Sequence, residues 1–144
     1  MTIKDVKEYL MQIKKLDRMI DRKLQELEKW KSVCEYPNVP TYGLEKVQSS
    51  GGRMTFAIEN YIAVGSEVQE EVQKLLMVKR DIISTIEELP LPEYDVLYER
   101  YVNLREFQQI ADQMDISYSW VTSVHGRGLK SIQKILEGRE KAGE

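Results

Sequence analysis

Four hydroxyl-bearing side chains, Tyr118, Ser119, Thr122 and Ser123, fall within six residues near the C-terminal end of the chain. No acid interrupts their neighbourhood: from Ser117 to Leu136 the charged residues are Arg127, Lys130 and Lys134. Hydroxyls at this spacing can reach base edges or phosphate oxygens in the major groove of duplex DNA, while guanidinium and ammonium groups suit the flanking phosphates. Ser117, just ahead of them, reads as a helix N-cap whose hydroxyl accepts from the amides of the next turn. The chemistry expected is recognition of double-stranded DNA, with Ser117, Tyr118, Ser119, Thr122, Ser123, Arg105, Arg127 and Lys130 as the contact set. A solvated polar helix face is the plainer alternative.

These groups need a scaffold, and the stretch Gln109 to Val121 supplies its pattern: two short helices joined by a tight turn, the layout of a helix-turn-helix. Ala111 beside Ile110 is small enough for a second helix to cross closely. Met114 and Ile116 bracket the turn as apolar anchors, and Asp115 between them sits where a left-handed backbone is expected, which Asp tolerates at some cost. Val121, Val124, Leu129, Ile132 and Leu136 recur at helical spacing and mark the inward face of the second helix. Trp120 is expected to pack into the small core. Gly126 and Gly128 weaken this helix by about 1 kcal/mol each relative to Ala, so a bend or early end is expected. An ordinary pair of packed helices remains the bland reading of the same pattern.

Further upstream, Ile3, Val6, Leu10, Ile13, Leu16, Ile20, Leu24, Leu27 and Trp30 fall three or four apart and predict one amphipathic helix from Ile3 to about Val33. At 1.5 Å per residue it extends roughly 45 Å and requires a partner. Pro37, Pro40, Gly43, Ser49, Ser50, Gly51 and Gly52 predict a helix-free loop from about Glu35 to Arg53. The partner follows from about Thr55 to Leu89, with Gly65 marking either a close approach or a break. Pro90 and Pro92 stop it, and Pro92 opens a third helix carrying Val96, Leu97 and Tyr101 inward. The first helix of the pair then starts at Asn103 or Leu104, and residues 137–144 are expected to fray. The expected fold is all-α: a long antiparallel, coiled-coil-like hairpin (1–90, loop 35–53) serving as an oligomerisation arm, then a small helix-turn-helix domain (91–144).

Composition limits the function classes. The net charge of −3 disfavours sequence-blind coating of nucleic acid, which depends on phosphate neutralisation. By segment the charge is +3 over residues 1–34, −4 over 35–92 and −2 over 93–144, so the basic run after Ser117 is local. No apolar run approaches the roughly 20 residues that cross a bilayer, and the polar start is unlike a signal peptide, so a cytoplasmic location and no membrane partner are expected. Cys34 is the only cysteine and reads as a small apolar residue at a helix end. His125, the only histidine, lacks neighbours at metal-ligand spacing and is expected to face solvent or a phosphate. No nucleophile-base pair or phosphate loop is apparent, and Glu70, Glu71, Glu87 and Glu88 read as solvated faces. Neither enzyme activity nor a cofactor is expected.

With these residues in place, Leu97 to Ile132 resembles region 4 of sigma-70-type bacterial sigma factors, through Gln109-Ile110-Ala111, Ile116-Ser117, Trp120-Val121 and Arg127-Gly128-Leu129. The whole chain resembles the RinA/ArpU-type late transcription regulators encoded by phages of Gram-positive bacteria. That match rests on Lys15-Leu16-Asp17 with Ile20 and Lys23, Val47-Gln48-Ser49-Ser50, Leu97-Tyr98-Glu99-Arg100-Tyr101 and His125-Gly126-Arg127-Gly128-Leu129. The resemblance implies a phage protein that binds promoter DNA in the bacterial cytoplasm and regulates transcription, with RNA polymerase as a second partner; the long helical arm itself is expected to mediate self-association or a partner contact. Region 4 usually presents charged groups where this chain has Tyr118, Ser119, Thr122 and Ser123, so its base contacts do not carry over. Two alternatives stay open: a small-terminase-like DNA-packaging subunit, and a polymerase-binding module that touches no DNA.

Overall fold

Two long helices dominate the computed structural model, α1 (Ile3–Glu35) and α2 (Ser50–Glu87), followed by α3 (Leu91–Leu97), α4 (Phe107–Met114) and α5 (Tyr118–Ala142). The structure describes residues 1–35 and 50–143, with the side chains of residues 50–54 left out. Among the described residues there is no strand, so the expected all-α class, a packed N-terminal helix pair with a small C-terminal helix cluster, is what the chain adopts. Pro37, Pro40, Gly43 and the Val47-Gln48-Ser49 motif lie outside the described residues. At its described edge the expected loop is shorter than the glycines suggested: Ser50, Gly51 and Gly52 already belong to α2. A first turn tolerates glycine better than a helix interior does, because its amides have no intrahelical partner to lose.

The chain forms two compact units. In Arg18–Leu76, Ile20 and Val33 of α1 and Ala57 and Val68 of α2 are buried. Trp30 meets Phe56 edge-on at 6.3 Å between centroids, and Lys23 pairs with Glu71. Residue numbers rise along α1 as they fall along α2 in these pairs, so the helices run antiparallel. Gly65 causes no break: a Cβ there would meet Leu27 Cδ1 at an ordinary 3.5 Å.

The second unit joins Met1–Asp17 to Met77–Glu144. Here Val6, Leu10 and Ile13 of α1 and Ile82 and Ile86 of α2 are buried, each burial contributing about 1.5–3 kcal/mol. Thr85, buried among them, uses the full bonding capacity of its hydroxyl. It donates to the Asp81 carbonyl at 3.1 Å, contacts Tyr9 Oη at 3.0 Å and accepts from Arg139 Nη1 at 2.7 Å. Arg139 also reaches Glu88 at 3.0 Å. Glu71 and Glu88 thus join neighbouring elements instead of merely facing solvent. Because Arg139 is engaged this way, α5 continues to Ala142 where fraying was expected.

The start of the C-terminal cluster also differs from expectation. Pro92 is the second residue of α3, after Leu91. The helix then relaxes into a π-helical turn (Tyr98–Val102), and α4 begins only at Phe107. Leu104 takes a left-handed backbone (φ 57°), which no helix can include, so a start at Asn103 or Leu104 is ruled out. Gln109 Oε1 instead accepts from the Glu106 amide at 2.9 Å and sets the first turn three residues later.

Candidate nucleic-acid interface

The turn between α4 and α5 is closed by backbone groups. Asp115 is left-handed at φ 55°, ψ 46°. Its amide reaches the Asp112 carbonyl at 3.4 Å, while the Ile116 amide reaches back to Ala111 at 3.0 Å. This pair of bonds is a Schellman motif, and it satisfies carbonyls that the end of α4 would otherwise leave orphaned. Ser117 then caps α5, its Oγ accepting from the Trp120 amide at 3.1 Å.

Behind the turn lies one small core of Val96, Ile110, Ala111, Val121 and Val124, with Phe107, Met114 and Ile116 packed against it. The expected anchors therefore take their places. α5 runs unbroken through both glycines. Gly128 is buried because α3 crosses there: a Cβ would lie 2.9 Å from Leu97 Cδ1 and 3.5 Å from Glu93 Cβ. Gly126 has nothing within 4 Å.

His125 is the clearest reversal. Only 9% exposed, it faces inward, with Nε2 2.8 Å from Tyr101 Oη. Its ring stacks on Tyr101 and meets Phe107 edge-on at 4.9 Å. Burial, and to a smaller extent the charges of Lys7 and Arg100, pushes its pKa down to about 4. The imidazole is neutral at pH 7 and ties α5 to the π-helical turn. Burial likewise raises the pKa of Tyr101.

On the opposite side of α5, Trp120, Ser123, Arg127, Lys130 and Lys134 are all exposed and recur at intervals of three and four, with Ser119 beside Trp120. Trp120 stays outside the core, 47% exposed, because Val121 and Val124 already fill the crossing with α4. The Arg127 guanidinium carbon sits 5.0 Å from its ring centroid. The other predicted residues are placed as follows. Ser117 is occupied by the cap, Thr122 donates to the Ser119 carbonyl at 2.9 Å, and Tyr118 is exposed with its ring edge-on to Phe107. Tyr118 and Thr122 sit toward the α4 side of the stripe.

Two predicted cations have acidic partners that sequence reading missed. Arg127 Nε is 3.9 Å from Glu93, and Arg105 Nε is 3.0 Å from Glu99. The buried Glu99 Oε2 accepts no well-aligned hydrogen bond, so the nearby guanidinium meets its charge electrostatically. Arg105 is further held by its amide to the Glu99 carbonyl at 3.0 Å, and its own carbonyl accepts from Arg100 at 3.2 Å. Lys130 has no ion-pair partner among the described residues. α5 itself contributes hydroxyls, an indole and cations to this face and no carboxylate, the one acid paired to it being Glu93 of α3, and the set is suited to binding a polyanion. No group of three or more His, Cys, Asp or Glu among the described residues is placed to hold a metal ion. No described helix is long and apolar enough to cross a membrane. Comparison of the chain with protein-family models, with curated proteins and with solved structures finds no match.

Proposed function

We propose that this protein is a DNA-binding transcription regulator in which α4, the turn and α5 act as a helix-turn-helix, with the N-terminal end of α5 entering the major groove. The observation that carries this reading is the carboxylate-free outer stripe of α5, presented by a helix whose opposite face is locked into the core. Ser119 and Ser123 are suited to base edges, and Arg127, Lys130 and Arg105 to phosphates. The resemblance to RinA/ArpU-type phage regulators supplies the context of transcription, and the resemblance to sigma region 4 supplies RNA polymerase as a second partner.

Binding selection from random duplexes, followed by footprinting of the enriched sequences, tests the reading. A sequence-dependent footprint at moderate salt is the expected result, and its absence overturns the reading. Arg127→Ala should weaken binding to all sequences alike, whereas Ser123→Ala should shift the preferred sequence. Polymerase pull-down without promoter DNA tests the second partner.

Self-association through the N-terminal helices belongs to the same reading. It is supported by apolar side chains left exposed within Arg18–Leu76, among them Leu24, Ile58 and Ile62, the last 66% exposed. A second copy covering them would bring two reading helices to one operator and raise a weak single contact by avidity. Light scattering should then give a mass above that of one chain, and Ile62→Glu should lower it.

A further inference from the structure

The exposed indole of Trp120 is the one aromatic side chain on the outer stripe, and it forms no part of the core. It occupies the third position of α5, and its backbone amide is the one that Ser117 Oγ caps. Its Nε1–H has no partner among the described residues. The Arg127 guanidinium lies over the ring, so the ring is braced from one side. A cation–π contact of this kind limits the rotamers of both partners.

Charge decides the class of occupant. The residues flanking Trp120 along the stripe are Ser119, Ser123, Arg127, Lys130 and Lys134, with no acid from Ser117 to Leu136. An apolar plate set among hydroxyls and cations matches the major groove, where the thymine C5-methyl is the one apolar feature and phosphates lie to either side. We propose that Trp120 is a specificity-determining residue that reads a thymine methyl, while Arg127 is a positioning residue that orients the ring and engages the adjacent phosphate. This inference rests on the DNA-binding reading above and adds the base feature that is read.

The test uses the full chain and an operator duplex obtained by selection, with each thymine replaced in turn by uracil, which removes only the C5-methyl. At one or two positions the wild-type protein should bind the uracil duplex roughly three- to five-fold more weakly, the scale of one methyl group withdrawn from water. Trp120→Ala should bind about ten-fold more weakly overall and no longer distinguish thymine from uracil there, and Trp120→Phe should restore part of the difference. Unchanged thermal unfolding of the variants confirms that folding is intact. If wild-type protein shows no sequence-dependent binding, this inference falls together with the DNA-binding reading. If it binds specifically but Trp120→Ala keeps the same thymine preference, only this inference is overturned.

Discussion

Leu97 Cδ1 lies where a side chain on Gly128 would have to begin, 2.9 Å from the position of its Cβ. Leu97 is fully buried, and its Cγ would also lie only 3.1 Å away, so more than the tip of the side chain has to shift. Gly128→Ala should therefore destabilise the protein by about 1–2 kcal/mol, the overpacking penalty exceeding the helix-propensity gain. Gly126→Ala, on the same helix with open space around it, should stabilise by up to about 1 kcal/mol. Opposite shifts in melting temperature, each of about 3–6 °C, would bear this out; shifts of the same sign would contradict the close α3–α5 crossing.

The buried His125 makes stability fall in mild acid. Above about pH 7.5 it is neutral whether folded or unfolded and contributes no slope. Below that the unfolded chain takes up a proton while the folded chain, with its pKa down to about 4, does not. Unfolding is favoured by about 2 kcal/mol at pH 5 relative to pH 7 from this group alone, and the loss levels off below about pH 4. Urea titrations at the two pH values measure it. In His125→Gln the difference between them should shrink by that amount.

Among the described residues, Leu104 and Asp115 are the two non-glycine positions with positive φ, and they differ in suitability. A branched apolar side chain gains nothing from the left-handed region, whereas Asp tolerates it. Leu104→Gly should stabilise by about 1 kcal/mol, and Asp115→Val should destabilise by at least about 1 kcal/mol. Equilibrium unfolding distinguishes the two.

Under the proposed function, Glu93 competes with phosphate for Arg127. Glu93→Gln removes the competitor from an ion pair that is half exposed on the Arg127 side and worth no more than about 1 kcal/mol. Affinity for any duplex should rise up to about five-fold at low salt, and the gain should vanish as salt screens both interactions. Fluorescence anisotropy titrations across ionic strength supply the measurement. A loss of affinity would mean that Glu93 acts by holding Arg127 in place.

Local signals read well in the sequence because they depend on neighbours in the chain. Asp115 at the turn, Ser117 as cap, and Val121, Val124, Leu129, Ile132 and Leu136 as the inward face each rest on positions within one or two turns. Trp120 and His125 read the wrong way round because residue type was weighed above position. His125 lies four residues from both Val121 and Leu129, which places it on the buried face. Gly128, between Val124 and Ile132, falls there too, and its small size reflects the approach of Leu97. The acidic partners Glu93 and Glu99 were not legible, since both pairings depend on how α3 and the π-helical turn pack. The placement of the outer stripe was legible in outline, and its centre moved from Tyr118 and Thr122 to Trp120, Ser123 and Arg127.

The reversal at Asp115–Ser117 is fixed by main-chain amides and one serine hydroxyl, and the core behind it uses only the opposite face of α5. Folding and surface chemistry are therefore written on separate residues of the same helix. Ser119, Ser123 and Lys130 can be exchanged together at little thermodynamic expense, which makes α5 an interchangeable cassette on a constant frame.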